Sequence, residues 1–96
     1  MDCSGFVCMV FSDLNHVTLP HSASKLYDLG RPVSRGDAKI GDLVFFRGGW
    51  MNDINHVGIY VGDGRFAHTT QKTGVLYSNL DEDNYDRHCA GIRRLF

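Results

Sequence analysis

The sequence predicts an α+β domain in which N-terminal helices pack on a small antiparallel sheet. Apolar residues recur at helical spacing near the N-terminus, whereas short runs rich in Val, Ile, Phe and Tyr follow one another from residue 42 onward. The links between these runs are too short for the crossovers that parallel strands require. Helices followed by a series of strands are typical of an α+β domain, with the helices on an antiparallel sheet.

Length and composition are those of one small globular domain. The chain has 96 residues, and we predict a single domain over residues 1–96. It is 43% hydrophobic with a net charge of -1, and its Lys and Arg residues are scattered, so we expect no nucleic-acid partner. No apolar run approaches the roughly 18 residues of a membrane span, so we expect no membrane insertion. The oligomeric state is left open.

The first helix is predicted over residues 4–14. Its apolar residues have helical spacing: Phe6, Val7, Val10, Phe11 and Leu14. Asp2 is a suitable N-cap, which places Cys3 in the first turn. Because the positive end of the helix dipole stabilises an anion, we expect a thiol at this position to ionise readily.

A second helix and five strands are predicted after a loop. Ser22 is predicted to cap the helix, Leu26 and Leu29 to lie on its buried face, and Gly30 to end it. A polar connection follows. The strands are predicted at 42–46, 56–62, 65–69, 75–78 and 90–95.

The segment Gly62-Asp63-Gly64 predicts a hairpin between two of these strands. A plain two-residue loop would set Ile59 opposite His68 and turn His56 to the other side of the sheet. A three-residue loop, or an equivalent bulge, would set Gly58 opposite His68 and bring both histidines to one face, roughly 7–8 Å apart. We predict the second register, because glycine at both ends of the loop permits positive φ.

Three residues could supply nucleophilic catalysis. A thiol nucleophile needs a base that takes its proton and a third group that orients the base. Cys3, His56 and His68 could fill these roles. They could also bind zinc, although the sequence contains no C-x-x-C pair.

The remaining cysteines and histidines receive structural interpretations. Three cysteines cannot all pair within one chain. Cys8 lies in an apolar run and is predicted to be a buried, inert thiol, whereas Cys89 is ambiguous. His16, His21 and His88 are interpreted as ordinary surface or core residues.

Four motifs in order resemble the NlpC family of papain-like cell-wall cysteine peptidases. They are DCSGF at 2–6, GDLVFF at 41–46, HVGIYVGDG at 56–64, and His68. The resemblance implies a papain-like α+β core, with the helix of the nucleophile packed on a half-barrel sheet. It also implies a triad of Cys3 as nucleophile, His56 as general base and His68 as orienting residue, with no cofactor.

The resemblance further implies a substrate and a location. Members typically cut peptidoglycan stem peptides between D-glutamate, through its γ-carboxyl, and a diamino acid, by way of a thioester. Asp2, Ser4 and Ser22 occupy the positions at which relatives bind the peptide, although helix capping is an equally simple role for Asp2 and Ser22. The location implied is the periplasm, the cell envelope or the extracellular space, and the chain carries no export signal.

Two departures from the family pattern leave other functions open. Relatives usually carry a helix with an assisting tyrosine before the cysteine motif, so we expect an N-terminally truncated domain. Leu19-Pro20-His21 stands where relatives often have Leu-Pro-Arg. The alternatives are an amidase or acyltransferase of the same scaffold class acting on another acyl substrate, and an inactive cell-wall-binding module.

Overall fold

The computed structural model describes residues 6–10, 22–48, 53–70 and 74–95. Residues 6–10 are helical and are called α1. The other helices are α2 (Ala23–Leu29), a 3₁₀ turn (Arg35–Asp37) and α3 (Asp83–His88). The strands are β1 (Arg31–Val33), β2 (Leu43–Gly48), β3 (Asp53–Gly62), β4 (Arg65–Thr70), β5 (Gly74–Asn79) and β6 (Cys89–Arg94).

Within the described residues the six strands form one antiparallel sheet. Their order is β1-β6-β2-β3-β4-β5, and every neighbouring pair is antiparallel. This confirms the predicted α+β class, and all five predicted strands are present. The chain therefore builds most of its sheet from hairpin-connected strands, with β6 returning to lie beside β2.

The two faces of the sheet carry separate apolar clusters. Side chains alternate along β2, so that Leu43 and Phe45 lie on one face and Val44 and Phe46 on the other. The first, called the α1/α2 face, is covered by residues that include Phe6, Val7, Cys8 and Leu26. The second, called the α3 face, includes Phe66, Leu80, Ile92 and Tyr85. Cys8 is 7% exposed, which confirms its predicted burial.

Helix α2 begins and ends where predicted, but its buried face differs. The hydroxyl of Ser22 accepts a hydrogen bond from the Lys25 N–H at 3.5 Å, which confirms the N-cap. Leu26 is fully buried, whereas Leu29 is 61% exposed and its predicted burial is wrong. Tyr27 completes the packed face instead, with its ring at 5.2 Å and nearly perpendicular to that of Phe45.

Gly30 ends α2 as predicted, and close packing accounts for the glycine. Its φ of -85° is ordinary, so the helix does not end in a left-handed glycine. A Cβ at this position would lie 2.7 Å from the Cβ of Arg93 on β6. The glycine is required because the chain passes closely beside β6.

Strand β1, the 3₁₀ turn and helix α3 were not predicted from the sequence. Strand β1 lies in the segment interpreted as a polar connection, and it pairs with β6. Helix α3 has Tyr85 as its single apolar side chain, so it lacks the apolar periodicity that identifies a helix.

Candidate active site

The β3–β4 hairpin has the register that brings the two histidines together. Ile59 pairs with Ala67 and Tyr60 with Phe66, which places Gly58 opposite His68. A register shift follows Tyr60, so Val61 bulges. Asp63 and Gly64 form the turn with φ values of 55° and 76°, the signs that a type I′ turn requires. The predicted bulge and register are both confirmed.

Gly58 leaves room for the side chain of His68 on the neighbouring strand. A Cβ on Gly58 would come within 2.8 Å of the Phe66 ring, 2.9 Å of the Ala67 carbonyl oxygen and 3.2 Å of the His68 Cβ. Two of these neighbours are backbone or near-backbone atoms that cannot move freely. The family motif at residues 56–64 therefore contains a glycine that is sterically necessary beside the site.

His56 and His68 contact each other directly. The Nε2 atom of His56 lies 2.8 Å from the Nδ1 atom of His68, and the rings are nearly perpendicular, with their centroids 4.9 Å apart. His68 is 1% exposed, whereas His56 is half-buried. The Nδ1 atom of His56 is the ring nitrogen that does not face His68. The pair thus has the geometry of a base and the residue that orients it.

Aromatic side chains fix the orientation of both rings. Phe66 lies against His68 at 4.6 Å between centroids, and Tyr85 of α3 meets the same ring edge-on at 5.5 Å. Phe46 lies 5.8 Å from His56. All these rings lie on the α3 face, so a helix that the sequence did not predict encloses one of the predicted site residues.

Ser78 is a site residue that the sequence analysis missed. Its hydroxyl lies 2.8 Å from Nε2 of His68, and its own exposure is 7%. In the β4–β5 register Ser78 pairs with Phe66, two positions from His68 and on the same face. The position of Ser78 in its strand could have indicated its contact with His68, but only if the register of β5 against β4 had been known.

Burial keeps the histidine pair neutral. Burial lowers the pKa of His56. Burial, followed by repulsion from His56, lowers the pKa of His68 to about 4. His68 is therefore uncharged near neutral pH, and His56 is available as a base.

The bonding of His68 does not suit a metal ligand. Both of its ring nitrogens lie at hydrogen-bond distance from partners, so binding a metal would require one of these bonds to break. No group of three or more His, Cys, Asp or Glu side chains in the described part of the chain is arranged to hold a metal ion. The zinc interpretation also involves Cys3, which lies outside the described residues.

A cleft of about 240 Å³ opens beside His56. It is lined by Phe46, Arg47, Gly48, His56, Tyr85 and His88. Aromatic rings form its wall, and the exposed Arg47 and His88 add basic groups at its edge.

Several predicted site residues lie outside the described residues. These are Asp2, Cys3 and Ser4, and the structural interpretations of His16 and His21 also fall outside the described residues. Ser22 is described and caps α2, while its substrate contact stays a prediction. In the described segments, no helix has the length and apolar character needed to cross a membrane.

Comparison with curated proteins shows two informative relatives. The murein DD-endopeptidase MepH of Escherichia coli is 40% identical over 98 residues, which cover 98% of this chain and 36% of that protein. The gamma-DL-glutamyl hydrolase of Bacillus subtilis is 39% identical over 93 residues, covering 97% of this chain and 22% of that protein. Across the first curated relatives, the chain spans between 36% and 50% of their length.

Comparison with solved structures supports the same grouping. An NLP/P60-family lipoprotein-like protein from Staphylococcus aureus superposes with a TM-score of 0.86 at 33% identity, over 99% of this chain and 32% of that one. RipD of Mycobacterium tuberculosis, described as a non-catalytic NlpC/p60 domain protein adapted to peptidoglycan binding, shares the fold with a TM-score of 0.81 at 22% identity, over 100% of this chain and 67% of that one.

The family model itself covers nearly the whole sequence. It matches residues 1–94, a span that contains all four sequence motifs and the His56–His68 hairpin. The chain belongs to the NlpC/P60 family.

Proposed function

We propose that this domain hydrolyses an amide bond in peptidoglycan stem peptides, with Cys3 as nucleophile, His56 as general base and His68 as the residue that orients the base. The carrying observation is the 2.8 Å contact between Nε2 of His56 and Nδ1 of His68. It leaves Nδ1 of His56 to accept the proton of a thiol. The name of MepH, a murein endopeptidase, supports a peptidoglycan substrate, and that of the Bacillus hydrolase supports cleavage of a γ-glutamyl bond.

The proposed reaction needs no metal. Nδ1 of His56 takes the thiol proton, and the sulfur of Cys3 attacks the amide carbonyl carbon. Backbone N–H groups, among them that of Cys3, bind the oxyanion. The imidazolium of His56 then gives its proton to the leaving amine, and water hydrolyses the thioester with His56 again acting as base.

The fold places a requirement on this mechanism. Both histidines lie on the α3 face, whereas Phe6 and Val7 of α1 pack on the α1/α2 face. The mechanism therefore requires the thiol of Cys3, which precedes α1 in the sequence, to reach Nδ1 of His56 from the opposite side of the sheet.

The rate of thiol alkylation tests this requirement. Iodoacetamide should alkylate Cys3 faster than the half-exposed Cys89, and His56→Ala should abolish that advantage.

Two bonds are candidates for cleavage. The γ-D-glutamyl–diamino acid bond is the one that the family resemblance implies, and the gamma-DL-glutamyl hydrolase of Bacillus supports it. The name of MepH, a DD-endopeptidase, favours a second candidate, the bond between two D-residues in a cross-link. Cross-linked dimers separate them, because only cleavage of the second bond returns two intact monomeric stems.

The deciding experiment is mass spectrometry of defined stem peptides and cross-linked dimers after digestion. Wild type should release one set of products, Cys3→Ala should release none, and Cys89→Ala should behave as wild type because its thiol is not in the triad. Digestion by a correctly folded Cys3→Ala protein would overturn the proposal.

The proposal also places the protein where peptidoglycan lies, in the cell envelope or outside the cell. RipD supports the rival function, since it combines this fold with a non-catalytic, peptidoglycan-binding role. A wall-binding module would sediment with purified sacculi while leaving every stem peptide intact. An amidase or acyltransferase with another substrate would instead be found by assaying lipid and small acyl esters beside the stem peptides.

A further inference from the structure

Three polar side chains form a continuous hydrogen-bonded line across β3, β4 and β5. His56 contacts His68, and His68 contacts Ser78, each at 2.8 Å. The line runs from the half-buried His56 into the interior, where His68 and Ser78 are 1% and 7% exposed. Its inner end is a hydroxyl, which can either donate or accept a hydrogen bond.

The proton on His68 decides what His56 can do. Burial keeps His68 neutral, so only one of its two ring nitrogens carries a proton. If Nδ1 carries it, Nδ1 donates to His56, whose own proton then lies on its Nδ1 and blocks it as a base. If Nε2 carries it, Nδ1 of His68 accepts from Nε2–H of His56, and Nδ1 of His56 is free to take a proton.

We propose that Ser78 is a positioning residue that acts through His68. Its oxygen accepts a hydrogen bond from Nε2–H of His68, which turns the Nδ1 lone pair of His68 toward His56 and makes Nδ1 of His56 the basic atom. This inference rests on the proposed function, which gives His56 its task as base.

The charged state of His56 makes this arrangement necessary. One proton passes from sulfur to Nδ1 of His56, giving a thiolate and an imidazolium, and no proton reaches His68 or Ser78. The imidazolium donates from both nitrogens, so His68 must accept at Nδ1 and hold its own proton at Nε2. Only an acceptor at the position of Ser78 satisfies that buried N–H, and leaving it unpaired would raise the energy of the ion pair.

The surroundings of His68 explain why a hydroxyl suits this position. The groups that face the ring are His56 from β3, Ser78 from β5, Phe66 of its own strand and Tyr85 from α3. Among the described residues no carboxylate bonds to His68. A carboxylate in place of Ser78 would favour the charged form of His68, and a charged His68 would repel the charged form of His56. The hydroxyl orients the ring without adding charge.

Two substitutions of nearly equal shape test the proposal. Ser78→Thr keeps the hydroxyl and Ser78→Val removes it, while both are β-branched and suited to a strand. Tyr77→Phe, on the exposed side of β5, controls for general effects of changing this strand. The full chain is labelled with ¹⁵N-histidine, and the ring-nitrogen shifts of His68 are measured by NMR in wild type and in each variant. The kcat and KM on stem peptides are measured in parallel.

We expect the proton of His68 on Nε2 in wild type and in Ser78→Thr, and a loss of this preference in Ser78→Val. We expect kcat of Ser78→Val to fall about tenfold or more relative to Ser78→Thr with little change in KM, since the lost bond supports the charged state formed during reaction. A wild-type proton on Nδ1, or equal tautomers and equal kcat in the Thr and Val variants, would overturn the inference.

The tautomer measurement separates this inference from the proposed function. Wild type that cleaves no stem peptide, but shows the Nε2 proton and loses it in Ser78→Val, supports the role of Ser78 while removing the peptidase assignment. If Ser78→Val does not fold, Ser78→Ala replaces it, with the same readouts and the same criterion.

Discussion

Two buried polar clusters in one sheet are built on opposite electrostatic principles. On β2 and β6, Asp42 accepts hydrogen bonds at 2.8 Å from Nε and Nη2 of Arg94, and a third at 2.8 Å from the Lys39 N–H. On β3, β4 and β5, His56, His68 and Ser78 form a line of uncharged partners. The first cluster pairs a carboxylate with a cation, and the second excludes charge.

The pKa shifts of Asp42 and of the two histidines show how each cluster controls its charge. Burial raises the pKa of Asp42, but its hydrogen bonds with Arg94 and Lys39 outweigh burial, so the net pKa is lowered. No opposite charge offsets burial at the histidines, and both histidine pKa values fall. Asp42 stays ionised to a lower pH than a free carboxyl group does, which suits a structural role. His56 is left uncharged but able to gain a proton, which suits a base.

Two of the four family motifs, GDLVFF and HVGIYVGDG, contribute to different clusters. In GDLVFF the carboxylate of Asp42 ties β2 to β6 through Arg94, which also donates to the Asp37 carbonyl oxygen. The following four residues fill both apolar clusters. HVGIYVGDG instead supplies His56, the Gly58 that makes room for His68, and the turn that sets their register. The first motif builds the scaffold and the second builds the site.

The largest expected effect is a loss of activity when the histidine cluster is changed. His56→Ala should lower kcat on stem peptides by about 10²- to 10⁴-fold, the usual contribution of a general base. Its unfolding midpoint in urea should stay close to wild type, because His56 is only half-buried. Retained activity in the folded variant would show that the histidine line is structural.

The next largest effect is expected at Asp42, where a substitution should lower stability and leave activity unchanged. Asp42→Ala should lower the free energy of unfolding by about 1–3 kcal/mol, since it removes the buried carboxylate that accepts hydrogen bonds from the Lys39 N–H and the Arg94 guanidinium. Urea denaturation measures the loss, and Asp81→Ala, an exposed carboxylate, is the control. Activity per folded molecule should be unchanged. A variant that is as stable as wild type yet inactive would reverse the roles assigned to the clusters.

The sequence predicted the site hairpin because its signals are local. Strand alternation and the Gly-Asp-Gly turn determine which face His68 occupies, and both lie within 13 residues of His56. Ser78 and Tyr85 could not be found in this way, since their contacts depend on the β4–β5 register and on the packing of α3. Strand β1 has three residues and gains its structure from pairing with β6 rather than from its own pattern.

A last comparison of the two clusters uses the pH dependence of stability. His68 has an ordinary pKa of 6.5 when unfolded and a pKa of about 4 when folded. Between these values the unfolded chain binds a proton that the folded chain excludes, so stability falls as pH falls, by at most about 1.4 kcal/mol per pH unit for one proton. Asp42 acts in a lower window. Its stabilisation is complete above its unfolded value of 3.8 and is lost as pH falls through its lowered folded value.

Urea denaturation between pH 7.5 and pH 4.5 therefore isolates the histidine cluster. His68→Asn cannot be protonated in this range, so its stability should fall less steeply with decreasing pH than that of wild type. Asp42→Asn should be less stable than wild type at every pH, but its stability should change with pH at the wild-type slope. The reason is that the Asp42 carboxylate of wild type is ionised over this whole pH interval in both the folded and the unfolded state. Equal slopes in wild type and His68→Asn would mean that the folded protein admits a proton at His68. The line from His56 to Ser78 would then carry a positive charge at His68, with no neutral ring left to direct a base.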